Sequence, residues 1–187
     1  LAVMRAGGAF LVLDPRRSEE QITHMSSTLP VAATLTERSY AARIRNDLPV
    51  WVWEDLDSYP TENPSRELPA LHARSLACVQ MLAEPKHAAV ASEHGSLALS
   101  LQSMRKRVGT EDFARMLSMA KWGFDSSVFE LFMPLMCGGT VVFVENELHP
   151  SVAIRTAKPT ALHAAPSVLD ALLQADAMPL SLRAIYT

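Results

Sequence analysis

The sequence lacks the features that mark membrane and nucleic-acid-binding proteins. Every apolar stretch is interrupted well short of the roughly 20 residues that a membrane-spanning helix needs, and the chain does not open with the basic, apolar and small-residue order of a signal peptide. The net charge is -3, and the basic residues are scattered along the chain. No field of one sign therefore favours nucleic acid or an anionic membrane, and we expect neither partner.

Cysteine is scarce as well. Cys78 and Cys137 lie in apolar runs without a CxxC or Cys/His spacing, so the sequence predicts no metal site and favours reduced, buried thiols in a cytoplasmic protein. We find no internal repeat and no low-complexity tract. What remains is an ordinary globular composition, with 49% hydrophobic and 20% charged residues among 187. This length suits one core, and both ends have the pattern of elements that continue into a longer chain.

Apolar runs of strand length alternate with segments of helical period. The predicted strands lie near 9–13, 32–35, 50–52, 76–82, 116–120, 140–144, 161–164 and 182–186. The predicted helices lie near 18–27, 40–46, 96–108, 127–136, 151–156 and 167–174. This alternation predicts an α/β fold, layered, with a largely parallel sheet and flanking helices.

One segment interrupts the alternation. Residues 54–75 are polar and carry Pro60, Pro64 and Pro69, which is typical of a linker or a long surface loop. We therefore predict an N-terminal βαβ piece at 1–53, a loop or linker at 54–75 and a larger C-terminal piece at 76–187.

The most informative string is FDSSVFE at 124–130. From the residues alone it is a capping box, in which Ser127 caps the first turn of a helix and Glu130 reaches back to it. Phe129, Phe132 and Met133 then face a core.

The same string also resembles the FDxSxxE segment of the adenylation domains of nonribosomal peptide synthetases, and two further blocks agree in order and spacing. AGGAFLVLDP at 6–15 resembles the family's KAGGAYVPLDP, and SEHGSL at 92–97 resembles its GVxxEHxxL. The family belongs to the AMP-forming acyl and aminoacyl adenylate synthetases, which activate an amino acid with ATP and Mg²⁺. The resemblance covers the whole chain and implies part of the adenylation core.

The resemblance also implies site residues. Asp125 would hold the amino group of the amino acid, and Ser126 and Phe129 would line its side-chain pocket, which Phe129 would keep apolar and shallow. His94 serves to align the sequence with the family and is expected to cap or pack rather than to catalyse. We predict no catalytic residue and no metal ligand in this chain.

The phosphate loop of the family is where this sequence departs from the pattern. The family's TSGSTGKPKG falls at about 80–89, yet residues 76–91 contain no glycine, serine or threonine. Backbone N–H groups freed by glycine, hydroxyl donors and a lysine are what hold phosphates in such loops. In the remnant around Glu84, Lys86 and His87, only the lysine suits a phosphate, so we expect no bound cofactor and little or no ATP turnover.

Two hypotheses follow from the resemblance. The family's ribose-binding aspartate and its C-terminal subdomain with the catalytic lysine would lie beyond Thr187, so the chain is expected to be a partial adenylation-domain core that lacks the C-terminal subdomain. We favour a catalytically inactive structural or docking element between neighbouring condensation and carrier domains. The alternative is an amino-acid pocket that contributes to ATP-dependent activation with the missing parts supplied elsewhere. A small α/β ligand-binding protein is a third, weaker possibility.

Overall fold

The computed structural model describes residues 1–44, 48–62, 70–81, 89–120, 123, 125–143, 154 and 156–187. By their internal contacts these residues divide into two compact units, Leu1–Ser92 and Glu93–Thr187. The sequence-based division at 1–53, 54–75 and 76–187 stays a prediction.

The first unit alternates short helices and strands. Its elements are α1 (Ala2–Arg5), β1 (Phe10–Leu11), α2 (Glu19–Thr28), β2 (Thr34–Thr36), α3 (Arg38–Ala41), β3 (Val50–Val52), a 3₁₀ helix (Trp53–Ser58), β4 (Leu76–Met81) and β5 (Ala89–Glu93). The longest helix, α2, begins with a complete capping box. The Ser18 hydroxyl accepts from the Gln21 N–H, and the Gln21 amide oxygen accepts from the Ser18 N–H, each at 3.3 Å.

The described strands of this unit form two sheets, with the orders β1-β4-β5 and β2-β3. The pairs β1-β4 and β2-β3 are parallel, with Phe10 opposite Cys78 and Leu35 opposite Trp51. Ala77 and Cys78 on β4 are almost fully buried, so β4 is the interior strand of the first sheet.

The second unit is a parallel α/β layer. Its elements are α4 (His94–Arg105), a 3₁₀ helix (Thr110–Ala114), β6 (Arg115–Ser118), α5 (Asp125–Met136), β7 (Thr140–Phe143), β8 (Ala161–His163), α6 (Pro166–Gln174) and β9 (Ala184–Tyr186). The strands hydrogen-bond in the order β7-β6-β8-β9, and each neighbouring pair is parallel. This is the sheet that carries the predicted site.

Apolar side chains cover this sheet. One buried cluster packs Leu117 of β6 and Leu162 of β8 against Leu172 of α6, with Ile154 and Ala177 beside them. Phe113, Met116 and Met133 are also fully buried. The sequence predicted that Phe132 and Met133 of α5 face a core, and both are buried.

The predicted fold class is confirmed, and the positions of the elements differ in detail. The structure adds a strand, β5, that the sequence did not predict, and it places a 3₁₀ helix in the first part of the predicted loop. Helix α3 is shorter than the predicted 40–46. The predicted helix at 151–156 lies mostly outside the described residues. In the described part of the chain, no helix is long and apolar enough to cross a membrane.

Both cysteines are free, as the sequence predicts, but they differ in burial. Cys78 is buried, whereas Cys137 is only partly buried, so the prediction of two buried thiols holds for Cys78 alone. Burial raises the pKa of the Cys78 thiol against the opposing effect of its hydrogen bond with Ser92. Burial also raises the pKa of the Cys137 thiol, against the nearby charge of Arg105.

We expect both thiols to alkylate slowly in the folded protein. The thiolate is the reactive form, and a raised pKa keeps its fraction low at neutral pH. The alkylation rate of Cys137 should therefore keep rising with pH beyond the pH at which the rate of an ordinary free thiol reaches its plateau. Cys78, which is buried, should react only after unfolding. Iodoacetamide labelling followed by mass spectrometry measures both rates, with the urea-unfolded chain as control. Rapid labelling of Cys78 in the folded chain would contradict this expectation.

Candidate functional site

Helix α5 carries the residues that the resemblance assigns to the substrate pocket. The helix begins at Asp125, and Ser126 and Phe129 lie within its first turns. Residues three and four apart share a helix face, so Phe129 lies on the same face as both Asp125 and Ser126. Asp125 is described through its backbone alone, and its predicted contact with an amino group stays a prediction.

Glu130, on the same helix, has a different role from the one that the capping-box pattern predicts. Its side chain is completely buried, and its Oε2 accepts from the N–H groups of Met119 and Ala120, at 2.8 and 2.9 Å. Its Oε1 lies 3.1 Å from Nδ1 of His163. Because the helix already begins at Asp125, Ser127 lies inside the first turn and not ahead of it.

The physical reason for this difference is the cost of an isolated buried carboxylate. A buried carboxyl group needs hydrogen-bond partners, and the N–H groups of Met119 and Ala120, just after β6, supply two of them. Glu130 therefore joins α5 to the end of β6 and, through His163, to the end of β8. The sequence predicted a capping contact within α5, whereas Glu130 contacts residues that are distant in the sequence.

Four aromatic rings meet beside this carboxylate. Phe129 lies edge-on to Phe113, His163 and Tyr186, with ring centroids 6.0, 5.6 and 5.6 Å away. Phe113 and Tyr186 are stacked, with centroids 5.2 Å apart. Edge-to-face and offset-stacked pairs are the favourable arrangements of such rings. We call these four side chains the aromatic wall.

Two side chains of the wall stand at the carboxyl edge of the sheet. His163 and Tyr186 are the last residues of the parallel neighbours β8 and β9, and they are register partners. In open α/β sheets, ligands bind outside the carboxyl ends of the strands. These two side chains therefore lie where this class of fold places its ligands.

Tyr186 and His163 bring polar groups to an otherwise apolar surface. Burial raises the pKa of the Tyr186 phenol, and the charge of Asp112, and of Cys137 once its thiol ionises, raises it further. The phenol thus stays protonated at neutral pH and can donate as well as accept. The His163 side chain is 26% exposed, so part of its ring reaches the surface while Glu130 behind it does not.

The predicted phosphate-loop residues Glu84, Lys86 and His87 lie outside the described residues. Gln80 of β4, which precedes them in the sequence, is buried, and its amide nitrogen has no hydrogen-bond partner. His94, which follows them in the sequence, is the first residue of α4. Its Nε2 is buried and has no hydrogen-bond partner, which agrees with a packing role. Among the described residues, no group of three or more His, Cys, Asp or Glu side chains could hold a metal ion.

The sequence pattern identified Phe129 but missed the rings around it. A signal was available, because His163 and Tyr186 both fall at the ends of predicted strands, where parallel sheets gather ligand-binding side chains. Phe113 offered no comparable signal, since it lies in a short 3₁₀ helix.

The parallel sheet with flanking helices and the FDSSVFE string at the start of α5 agree with an adenylate-forming type of fold. The sequence model of the AMP-binding enzyme family matches residues 1–187, and the chain belongs to that family. Within it, the chain resembles the adenylation regions of nonribosomal peptide synthetases.

Individual relatives agree with this assignment. The chain is 33% identical over 159 residues to the nonribosomal peptide synthetase inpA of Emericella nidulans, and this match covers 81% of the chain and 10% of the relative. It is 30% identical over 189 residues to the AMB antimetabolite synthetase AmbB of Pseudomonas aeruginosa, covering 99% of the chain and 15% of the relative. The chain thus spans a small part of these much longer synthetases.

Solved structures support the fold. A four-domain nonribosomal peptide synthetase, holo-AB3403 bound to AMP and glycine, matches 97% of this chain and 14% of its own, with a TM-score of 0.78 and 25% identity. O-succinylbenzoate coenzyme A synthetase from Bacillus subtilis, in complex with AMP, matches 98% of this chain and 49% of its own. Its TM-score is 0.81 at 19% identity, which is a likeness of fold alone.

Proposed function

We propose that this chain is an adenylation-type element of a nonribosomal peptide synthetase that does not activate an amino acid with ATP and that serves as a structural or docking element. The proposal rests on one observation, the absence of glycine, serine and threonine from residues 76–91. We place the element between neighbouring condensation and carrier domains, in the cytoplasm, where its free thiols would stay reduced.

The chemistry of phosphate binding explains the expected loss. Charge-assisted hydrogen bonds are worth roughly 1.5 to 3 kcal/mol each, and a triphosphate held without glycine-freed N–H groups or hydroxyl donors forgoes several of them. Lys86 offers one positive charge, while Glu84 repels the phosphate. The affinity for ATP should therefore fall by orders of magnitude relative to an intact loop.

An exposed apolar surface in the first unit supports the docking role. Leu35 and Trp51 are neighbours across β2 and β3, with 47% and 55% of their surface exposed, and the following Trp53 is 63% exposed. Parallel strands are usually covered on both faces. A neighbouring domain of the synthetase would cover these side chains.

The second candidate function is a contribution to amino-acid activation, and the aromatic wall is the observation that favours it. Phe129, which the resemblance assigns to the side-chain pocket, is held among three other rings and next to the Glu130–His163 contact. Such a wall could contact an amino acid side chain, while the nucleotide would have to be bound by other residues.

Isothermal titration of the 187-residue chain with Mg-ATP tests the first candidate. We expect no heat with Mg-ATP up to millimolar concentration, because residues 76–91 offer too few donors. Micromolar ATP binding would contradict the structural proposal. A variant that carries the family's Gly/Ser/Thr-rich loop in place of residues 80–89 tests whether this loop alone limits ATP binding.

Lys86→Ala is the matched single-residue control. If the unaltered chain does bind ATP, loss of that binding in Lys86→Ala would place the nucleotide at the remnant loop. Unchanged binding would place it elsewhere. A separate titration with amino acids tests the second candidate without ATP.

A further inference from the structure

The exposed apolar side chains of the first unit share one side of β2 and β3. Leu35 and Trp51 are register partners, so their side chains leave the two-stranded sheet on the same side. Trp53 follows Trp51 by two residues, and the backbone of Val52 between them is extended, so Trp53 points to that side as well. We call Leu35, Trp51 and Trp53 the tryptophan face.

The composition of the tryptophan face is that of a binding surface. Single exposed apolar residues are common on proteins, but here three large side chains in adjoining positions are 47%, 55% and 63% exposed. Tyr59, just after the 3₁₀ helix, adds a ring that is 61% exposed. Tryptophan and tyrosine are among the residues that most often dominate the energy of a protein interface.

Exposed carboxylates border this face. Glu37 follows Leu35 by two residues, and Glu54 follows Trp53 directly. The described segments 34–44 and 50–62 together carry five carboxylates and two guanidinium groups, which are those of Glu37, Glu54, Asp55, Asp57, Glu62, Arg38 and Arg43. All five carboxylate side chains belong to exposed residues. The border of the face is therefore negative.

The two guanidinium groups already have partners within the chain. Arg38 pairs with Asp55, and its backbone N–H donates to both carboxylate oxygens of Glu54, each at 3.1 Å. Arg43 donates to two backbone carbonyl groups in the loop after β1. A partner that brings its own cations would meet carboxylates whose charge this chain balances only in part.

We propose that the tryptophan face binds an arginine-bearing, apolar segment of a neighbouring synthetase domain. This inference rests on the proposed docking function and names the chemistry of the partner. A guanidinium group suits the face better than the ammonium group of lysine, because it stacks on an indole ring and can pair with a carboxylate at two points. An apolar side chain next to the arginine would cover Leu35.

Two other occupants suit the face less well. A second copy of this chain in a two-fold contact would place the same surface against itself. The carboxylates of the two copies would then repel each other. An anionic membrane would be repelled by the same groups.

Fluorescence quenching tests the charge around the face without a partner. The chain has three tryptophans, so Trp122→Phe leaves Trp51 and Trp53 as the remaining indoles. Relative to free N-acetyltryptophanamide, we expect caesium ions to quench this emission more strongly than iodide ions, because carboxylates attract the cation and repel the anion. The opposite order in the folded variant would overturn the inference.

Three short peptides of equal length test the chemistry of the partner in the unaltered chain. Each alternates leucine with one charged residue, which is arginine, lysine or glutamate. Calorimetric titration should show saturable binding of the arginine peptide, about tenfold or more tighter than that of the glutamate peptide and tighter than that of the lysine peptide. Added salt should weaken it, because exposed charges are screened. Equal affinity for the arginine and glutamate peptides would overturn the inference, and equal affinity for arginine and lysine would overturn the stacking on indole.

Two variants locate the binding site. Trp51→Ala removes an exposed ring, so the chain should stay folded and bind the arginine peptide about tenfold more weakly. Glu54→Gln keeps an acceptor for the N–H of Arg38 but removes one charge, which should weaken the arginine peptide about threefold. Leu99→Ala is the matched control, because Leu99 is a 69% exposed side chain on α4, and the affinity should not change. Unchanged affinity in Trp51→Ala would overturn the assignment to this face.

The remaining outcomes separate this inference from the function on which it rests. If sedimentation showed a dimer that Trp51→Ala dissociates, the face would be a contact between copies and the inference would be overturned. Absence of saturable binding by all three peptides at millimolar concentration would also overturn it, and the expected lack of ATP binding would still stand. Micromolar ATP binding together with tight arginine-peptide binding would overturn the proposed function and leave the chemistry of the face in place.

Discussion

Replacing Glu130 by alanine should lower the free energy of unfolding of the second unit by about 3 to 5 kcal/mol, because two backbone donors and His163 would lose a buried acceptor. The N–H groups of Met119 and Ala120 would lose their acceptor in a buried site, and each unmet donor costs about 1 to 3 kcal/mol. His163 would lose its partner at the same time. Urea unfolding followed by far-UV circular dichroism measures the change.

Two variants calibrate this expectation. Glu130→Gln keeps one oxygen for the two backbone donors and should cost clearly less than Glu130→Ala. Glu111→Ala removes an exposed carboxylate, 3.8 Å from Arg183, and should stay within about 0.5 kcal/mol of the unaltered chain. If Glu130→Ala behaved like Glu111→Ala, the buried carboxylate would not hold α5 to β6.

Replacing Gly139 by alanine should be nearly as damaging, for a steric reason. A Cβ at this position would lie 1.9 Å from the carbonyl oxygen of Phe113 and 2.9 Å from its carbonyl carbon. Both are backbone atoms, so no side-chain rotation relieves the overlap. We expect a loss of about 3 kcal/mol or more, at the upper end of what overpacking costs. The same urea titration provides the measurement.

Gly138 is the matched control for Gly139. The two glycines end α5 in a Schellman motif, with Gly138 N–H to Leu135 O at 3.3 Å and Gly139 N–H to Pro134 O at 2.8 Å. Gly138 has a φ of +75° but open space where a Cβ would be, so alanine there should cost only about 1 kcal/mol, from the left-handed conformation. Equal effects at the two positions would contradict the steric account of Gly139.

Much of the fold could be predicted from the sequence because periodicity reports burial. The apolar runs that became β4, β6, β7 and β8 are strand-length and lie between helical segments, and the structure has strands at those places. Strand β5 was not among the predicted strands because its residues, Ala89–Glu93, are mostly exposed and have weak strand preference. Its pairing with β4, which no local pattern encodes, makes it a strand.

The candidate site was predictable only in part, for a related reason. The FDSSVFE string locates α5 and Phe129 through local signals. The partners of Glu130 come from β6 and β8, and a carboxylate three residues after a serine fits a capping box equally well. Local sequence cannot decide between a nearby backbone N–H and a distant one, because the choice depends on which strand end comes to lie beside the helix.

The aromatic wall also constrains the order in which the chain can assemble. Its rings come from positions spread across nearly the whole second unit, and Phe113 stacks on Tyr186 of the last strand. Contacts this far apart in sequence form late and slowly, because a long loop must close before they stabilise anything. During synthesis, α5 can form while Phe129 still lacks its neighbours. The aromatic wall is therefore expected to be complete only when β9 docks, in one of the last steps of folding.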